Sequence, residues 1–212
     1  MKSRCVGMNI LDIGCLDETA FESKIRSGFW LHEEIASVAK SVIGIDNSDV
    51  LKQAPIETGF STIVFEDIFT LDPANYPNID VIVMGELIEH LVNPLSVLSQ
   101  LVGKFPKSSI VLSTPNATGI TNVIGALVNR ESNHPDHVAI YSYKTLCTLM
   151  SRLENVDFQI QPYLTLYSEA VLRNKGLKRK AVLLINAIIN RIEWLRPFYS
   201  GGFVVTIAPK NI

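Results

Sequence analysis

Short apolar runs alternate along the chain with longer segments in which apolar residues recur at helical spacing. The apolar runs predict strands at residues 7–13, 41–46, 61–65, 79–84, 108–113, 156–166 and 202–208. The helical spacing predicts helices at 30–39, 48–58, 86–91 continuing through 95–104, 142–153 and 179–195. This alternation is typical of a parallel sheet that is covered on both faces. We therefore predict an α/β fold with a seven-stranded, mostly parallel sheet. The last two strands have a different connection from the rest, and the last strand is predicted to be antiparallel.

The length of the chain favours a single domain. Its 212 residues, 47% hydrophobic and 19% charged, suffice for one full-sized core. We expect one domain over residues 1–212, with a substrate or lid loop at 116–141. A C-terminal helical insertion is expected at 167–200, before the last strand.

Charge and cysteine content narrow the partners and the compartment. A net charge of −2 gives no overall electrostatic reason to expect nucleic acid binding. Cys5, Cys15 and Cys147 are odd in number, far apart and without metal-ligand spacing, which indicates reduced thiols. Asn9 and Asp12 interrupt the first apolar stretch too early for a signal sequence, and no apolar run approaches the ~18 residues of a membrane span. We expect a cytoplasmic protein that is neither exported nor membrane-spanning.

The segment at residues 80–94 carries the most informative chemistry. An apolar run ends abruptly in Glu86, Glu89 and His90. If a helix begins near Gly85, these side chains stand at i, i+3 and i+4 and face the crevice where open α/β sheets hold ligands. The alternative is a helix first turn whose acids complement the macrodipole. A second cluster, NHPDHV at 133–138, contains His137 and is typical of a site loop.

Two other strand ends carry acids. Asp46 can accept two hydroxyl hydrogen bonds, although an acid that caps the next helix is the alternative and Ser48 competes for that position. Asp12 precedes Gly14, which permits close approach to a ligand; a turn acid is the alternative.

Five segments in order resemble the motifs of class I S-adenosylmethionine-dependent methyltransferases. They are NILDIGC at 9–15, VIGID at 42–46, TIVFEDI at 62–68, residues 80–91, and IVLSTPN at 110–116. The resemblance implies a Rossmann-like fold and S-adenosyl-L-methionine as cofactor. It implies that Asp46 receives the ribose hydroxyls and that Asp67 and Ile68 contact adenine, with Glu66 an alternative to Asp67.

The chain departs from that family after Cys15, where LDET at 16–19 replaces a Gly-x-Gly loop. Larger side chains and added negative charge there disfavour a close cofactor approach. A subgroup associated with bacterial surface-glycan biosynthesis is similar in lacking this loop. It is also similar in its Trp-Leu-His element, matched at 30–32, and in its tail at 194–210.

The resemblance to this subgroup implies O-methylation of a sugar or glycan intermediate, and hence a sugar, sugar-nucleotide or lipid-linked glycan acceptor. It also implies that His32 reaches the cofactor site, although a histidine at a helix start with no ligand is the alternative. Carried over by position, the cofactor contacts are Asp12, Ile13, Gly14, Cys15, His32, Asp46, Asn47, Asp67, Ile68, Met84, Gly85 and Glu86.

The Glu-x-x-Glu-His segment and the later Asp-His resemble methyltransferases that hold a divalent ion, among them small-RNA 2′-O-methyltransferases and, in part, ubiquinone-biosynthesis O-methyltransferases. This resemblance implies Glu86, Glu89, His90 and His137 as ligands of Mg²⁺ or Mn²⁺. Without a metal, His90 or His137 is the candidate general base, with Glu89 in the same catalytic group. Many relatives with Glu-His-Leu have no established metal.

We predict an enzyme, with three alternatives. A catalytically silent methyltransferase-like binding subunit explains the missing glycine loop. A nicotinamide-dependent dehydrogenase shares Asp46, but the sequence lacks Gly-x-Gly-x-x-Gly. RNA 2′-O-methylation would fit the metal cluster, but the acidic net charge argues against it.

The predicted helix at 179–195 has Asn186, Asn190 and Glu193 on one stripe, opposite a wide apolar face. Peripheral contact with a membrane, a homodimer contact and a cover for the last strands all stay open. Core or dimer burial is favoured, because the segment lies between two predicted strands.

Overall fold

A computed structural model of the protein describes residues 1–16, 30–52, 55–57, 61–131, 133–164 and 174–210. The strands are β1 Asn9–Ile13, β2 Ser41–Asp46, β3 Ile56–Glu57, β4 Thr62–Phe65, β5 Val81–Gly85, β6 Ser109–Pro115, β7 Val156–Tyr163 and β8 Gly202–Pro209. The α-helices are α1 Leu31–Ala36, α2 Pro94–Lys104, α3 Ile120–Leu127, α4 Tyr143–Met150 and α5 Gly176–Leu195. Short 3₁₀ turns lie at Lys2–Arg4, Asp49–Lys52, Pro73–Asn75, Ile88–His90 and Pro197–Tyr199.

The strands form one sheet in the order β3-β4-β2-β1-β5-β6-β8-β7. Strands β4, β2, β1, β5 and β6 run parallel, whereas β8 is antiparallel to both β6 and β7. The two-residue β3 adds an antiparallel edge to a seven-stranded arrangement. This confirms the predicted α/β, Rossmann-like fold with an antiparallel last strand. The strand order reverses between β1 and β5, where such sheets bind ligands beyond the strand ends.

Both faces of the sheet are covered. Side chains alternate along β5, so that Ile82 and Met84 belong to one apolar cluster and Val83 to another. Helices α2 and α4 cover the first face, where Leu98 and Leu146 are fully buried. Helix α1 covers the second face through Ile35.

The predicted helix at 48–58 is wrong. The chain makes a single 3₁₀ turn at Asp49–Lys52 and then the strand Ile56–Glu57, while residues 53–54 and 58–60 lie outside the described residues. Pro55 explains the difference, because proline removes a helical hydrogen bond and keeps the preceding residue out of the helical region.

The predicted helix from 86 through 104 is also wrong as one element. Glu86 has a positive φ of 52°, and Ile88–His90 forms only one 3₁₀ turn. Helix α2 begins afresh at Pro94, where the Asn93 side chain accepts a hydrogen bond from the amide of Ser96. An asparagine cap followed by proline at the first helical position is a strong start signal, and it separates the two segments.

Smaller differences concern element ends. Helix α1 is shorter than its prediction, α4 ends at Met150, and α5 begins three residues early at Gly176. The predicted loop at 116–141 contains α3, and β7 ends at Tyr163, with residues 165–166 outside the described part. None of the helices that the structure describes is both long enough and apolar enough to cross a bilayer.

Candidate functional site

The carboxyl ends of β1 and β2 are joined through one carboxylate. Asp46 is only 9% exposed. Its Oδ2 accepts a hydrogen bond from the backbone amide of Leu16 at 2.9 Å, and its Oδ1 accepts one from the amide of Ser48 at 3.0 Å. Asn47 is exposed beside it. The ribose contact of Asp46 stays a prediction.

Gly14 is required by its conformation and its surroundings. Its φ is +69°, and a Cβ at this position would lie 2.9 Å from the Leu87 side chain. The side chain of Leu87 therefore lies against the position that we expected to open toward a cofactor.

The Trp-Leu-His element closes on the ends of β1 and β5. The Trp30 indole Nε1 donates to the carbonyl of Cys15 at 2.9 Å, and the Cys15 thiol contacts the carbonyl of Ile45 at 3.9 Å. Leu31 lies over Gly85, where a Cβ would be 2.5 Å from its Cδ2. Trp30 and Leu31 therefore fix the strand ends where the glycine loop is missing.

His32 and Asp12 form a buried pair. His32 Nδ1 lies 2.7 Å from Asp12 Oδ2, and its Nε2 lies 2.6 Å from the Ser61 hydroxyl. Burial raises the pKa of Asp12, while the hydrogen bond and charge of His32 oppose that rise. Gly44 leaves room for the imidazole, since a Cβ there would lie 2.9 Å from His32 Cε1. His32 and Asp12 therefore each have a hydrogen-bond partner inside the protein. The predicted contacts of these two residues with the cofactor stay predictions. Nothing in the sequence pointed to Ser61.

The other predicted cofactor residues lie in different environments. Asp67 Oδ1 accepts the amide of Phe69 at 2.9 Å, which caps a turn, and Ile68 packs against the main core. Ile13 and Met84 are buried core residues, so only their backbone is left for a ligand.

A second group gathers at the end of β5. Glu89, His90 and His137 each offer a ligand atom, and these atoms lie within 4.8 Å of one another. The amides of Val138 and Ala139 donate to the carbonyl of Glu89 at 2.8 and 3.2 Å. These two bonds hold the loop that contains His137 against the 3₁₀ turn, although Val138 and Ala139 lie 49 and 50 residues after Glu89 in the sequence.

His134 belongs to this group in space and was not predicted as a site residue. Its ring centroid lies 5.6 Å from that of His137 and 6.3 Å from that of His90, while His90 and His137 are 4.7 Å apart. The sequence signal was present, since His134 is three residues before His137 in the same loop.

The group contains buried polar atoms without partners. Glu89 is 0% exposed, and among the described residues neither of its carboxylate oxygens has a hydrogen-bond partner. The Thr114 hydroxyl faces this carboxylate but does not reach hydrogen-bonding geometry. Burial raises the pKa of Glu89 to about 7, and the charge of Glu86 adds to the rise.

His137 completes this picture. Its Nδ1 is buried and also lacks a partner among the described residues. Burial lowers the pKa of His137, as do the neighbouring His90 and His134. An imidazole that is neutral at physiological pH presents a lone pair, either to a proton or to a metal ion. The unpartnered atoms of Glu89 and His137 therefore lie in a group whose residue types could coordinate a divalent cation.

Glu86 lies outside that donor set. Its positive φ replaces the expected helical i, i+3, i+4 arrangement, and its Oε1 accepts the phenol of Tyr163 at 2.5 Å. Tyr163 pairs across the sheet with Gly202, where a Cβ would collide with the phenol ring. Burial raises the pKa of Tyr163, followed by the charge of Glu86. No sequence pattern indicated that Tyr163 reaches the site.

No protein-family model and no curated protein sequence matches this chain. Solved structures do: a SAM dependent methyltransferase from Archaeoglobus fulgidus superposes with a TM-score of 0.53 at 20% identity, over 99% of this chain and 92% of the other. The chain has the class I methyltransferase fold.

Two further structures share the methyltransferase fold. The small RNA methyltransferase HEN1 gives a TM-score of 0.60 at 12% identity, over 99% of this chain but only 24% of that longer protein. The plantazolicin methyltransferase BpumL, in complex with SAH (S-adenosylhomocysteine), gives 0.51 at 17% identity over 96% of this chain and 76% of the other.

A cavity of about 610 Å³ adjoins the histidine group. Its lining comes from one stretch of the chain after β6: Ala117, Glu131, Asn133, His134, Pro135, His137, Val138, Ala139 and Ile140. His134 and His137 line this cavity, so a molecule in it would lie against these two imidazoles.

Proposed function

We propose that this chain is an S-adenosylmethionine-dependent methyltransferase that transfers the methyl group to an oxygen of a sugar or glycan acceptor. The observation that carries the proposal is the group Glu89, His90 and His137 at the end of β5, beside the point where the strand order of a methyltransferase fold reverses. SAH in the BpumL complex supports the choice of cofactor.

The reaction requires alignment and removal of one proton. The acceptor oxygen forms a bond to the methyl carbon while the carbon–sulfur bond breaks, and its electron pair stays on sulfur. The hydroxyl proton passes to a base, for which His137 Nδ1 is suited by its lowered pKa and lack of a partner. His90 is the second candidate. Alignment supplies most of the acceleration, because the sulfonium is intrinsically reactive.

A divalent ion fits the same residues. Glu89, His90 and His137 would hold it, and a carboxylate with two imidazoles suits Mn²⁺ or, with added water, Mg²⁺. Such an ion supplies Lewis-acid chemistry that lowers the pKa of a bound hydroxyl. The orphaned oxygens of Glu89 support this assignment.

Calorimetric titration with S-adenosylhomocysteine tests the cofactor. We expect wild-type protein to bind and Asp46→Ala to lose about 1.5 to 3 kcal/mol, the range for charge-assisted hydrogen bonds. Because Asp46 also holds the amides of Leu16 and Ser48, Asp46→Asn is the second variant, since it retains an acceptor oxygen. Asp157→Asn, on the exposed edge strand, is the control. No heat and no thermal shift at millimolar ligand would overturn the proposal and favour a silent binding subunit.

Transfer of a radiolabelled methyl group separates a base from a metal site. If His137 is only a base, His137→Gln should lose roughly 10²- to 10⁴-fold in rate, recover partly at high pH and ignore chelator. If Glu89, His90 and His137 share a metal, each single change should abolish most activity and double changes should add little. Glu154→Gln, an exposed acid far from this group in the sequence, is the control.

The acceptor class rests on the resemblance to the glycan-associated subgroup. We expect methyl transfer into sugar nucleotides, glycolipids or a polysaccharide extract. Transfer into RNA, and into none of these carbohydrates, would reject the sugar acceptor.

RNA 2′-O-methylation is the second candidate, because one specific observation favours it. The Glu89, His90 and His137 donor set occurs in a fold shared with the small RNA methyltransferase HEN1. The same assay, with small RNA as acceptor, decides between the two.

A further inference from the structure

Helix α5 turns its polar face toward the protein and leaves its apolar face exposed, which is the reverse of the usual arrangement. Glu193, on its polar stripe, is 1% exposed, and the buried Oδ1 of Asn190 has no hydrogen-bond partner among the described residues. On the opposite side, Leu177 is 86%, Leu184 64% and Ile188 53% exposed. Core or dimer burial of this apolar face was favoured; burial in the core is wrong, because the polar stripe faces the protein, while a dimer contact stays untested.

The exposed apolar residues form a continuous line. Leu177, Leu184, Ile188 and Leu195 are separated by seven, four and seven positions, which places them within roughly 20° of one direction around the helix. The line runs the full 20-residue helix, a length of about 30 Å. Trp194, 63% exposed, stands toward one side of it. An exposed apolar line of this length indicates an interaction surface.

Charge identifies what this surface meets. Residues 174–200 contain six basic residues and one acid, against a net charge of −2 for the whole chain. The acid is Glu193, which is buried. The basic residues are Lys175, Lys178, Arg179, Lys180, Arg191 and Arg196. By helical geometry Lys180 and Arg191 border the apolar line on one side and Lys178 on the other.

We propose that α5 lies flat on an anionic lipid bilayer, with the apolar line in the acyl boundary and Lys178, Lys180 and Arg191 at the headgroups. Interfacial helices combine these two features, since apolar burial and attraction to anionic lipid add together. A dimer through this face would bring Lys180 and Arg191 of two copies together, which like charge disfavours. RNA would use the basic residues but leave the leucines exposed. The inference does not depend on the proposed function.

Co-sedimentation of the full chain with vesicles tests the proposal. We expect binding to mixed phosphatidylcholine–phosphatidylglycerol vesicles, weakened by salt, and little binding to phosphatidylcholine alone. Leu184→Gln with Ile188→Gln should weaken binding roughly 30- to 100-fold, from the lost burial of two aliphatic side chains. Lys180→Glu with Arg191→Glu should weaken vesicle binding at least tenfold, because each basic residue near an anionic surface adds to the attraction and each acid subtracts from it. The matched control is Val6→Gln with Val50→Gln, which removes two exposed apolar side chains elsewhere.

Tryptophan fluorescence gives a second readout. The chain has two tryptophans, and Trp30 is 4% exposed, so a blue shift on vesicle binding reports on Trp194. Trp194→Phe should remove that shift.

Any one of the following results would overturn the proposal. One is equal loss of vesicle binding in the control pair or no binding by the wild type. Another is a lipid-free dimer that Leu184→Gln with Ile188→Gln dissociates, which would assign the face to a second copy. The third is RNA binding that survives the apolar variant but not the charge variant, together with absence of vesicle binding.

Discussion

Glu89 should make the metal-free protein less stable as pH rises. Its pKa is raised from 4.5 to about 7, chiefly by burial and then by the charge of Glu86. Between these two values the folded state binds more protons at this residue than the unfolded state, so the stability falls with increasing pH. The penalty is complete above the folded pKa. A shift from 4.5 to about 7 corresponds to about 3 kcal/mol, at roughly 1.4 kcal/mol per unit.

Glu89→Gln removes the charge while keeping the shape. We expect it to match the wild type at about pH 4 and to be more stable by up to ~3 kcal/mol at about pH 8. Denaturant unfolding in the presence of chelator, repeated across this range, measures the difference. Glu154→Gln, an exposed acid in the turn before β7, should change nothing at either pH.

Metal reverses the sign of this effect. A divalent ion that binds Glu89, His90 and His137 should stabilise the wild type above pH 7 and should not stabilise Glu89→Gln, because ligands that bind the folded state raise its stability. A variant no more stable than the wild type at alkaline pH would show that the carboxylate is solvated or paired in the folded protein, contrary to the prediction.

Two further variants test the buried contacts around the site. His32→Ala leaves Asp12 buried without its partner, which should lower the free energy of unfolding by about 3 to 5 kcal/mol near neutral pH. The loss should be smaller in acid, where Asp12 is protonated. Denaturant unfolding that shows the same loss at both pH values would contradict this. Gly202→Ala should displace Tyr163 and lower both the melting temperature and the rate of methyl transfer. The control is Gly103→Ala in α2, where a Cβ has open space, and it should be neutral or stabilising by up to ~1 kcal/mol. Equal melting temperatures for the two variants would refute the close contact.

The sheet was predictable because buried parallel strands appear as continuous apolar runs bounded by polar residues. The helical errors came from local signals that periodicity does not record. Pro55 prevented one helix, and the Asn93-Pro94 start signal divided another. The two-residue β3 is too short to produce a pattern.

The site was predictable in part. Glu89, His90 and His137 do come together, although through a 3₁₀ turn and two backbone hydrogen bonds instead of a helical face. The contacts of Tyr163 and Ser61 depend on sheet register and on the space at glycines, which no local pattern contains. The exposure of the apolar face of α5 could likewise not be predicted from the sequence, because an amphipathic pattern does not show which face of a helix packs against the protein.

The Trp-Leu-His element at residues 30–32 should make local unfolding at the ends of β1 and β5 cooperative. Three consecutive residues, Trp30, Leu31 and His32, hold the carbonyl of Cys15, cover Gly85 and pair with Asp12. Helix α1 cannot move away without breaking all three contacts together. Amides at the ends of β1 and β5 should therefore exchange hydrogen in one cooperative opening, as a single unit of local unfolding. A ligand seated between these strands would slow the exchange of the entire unit.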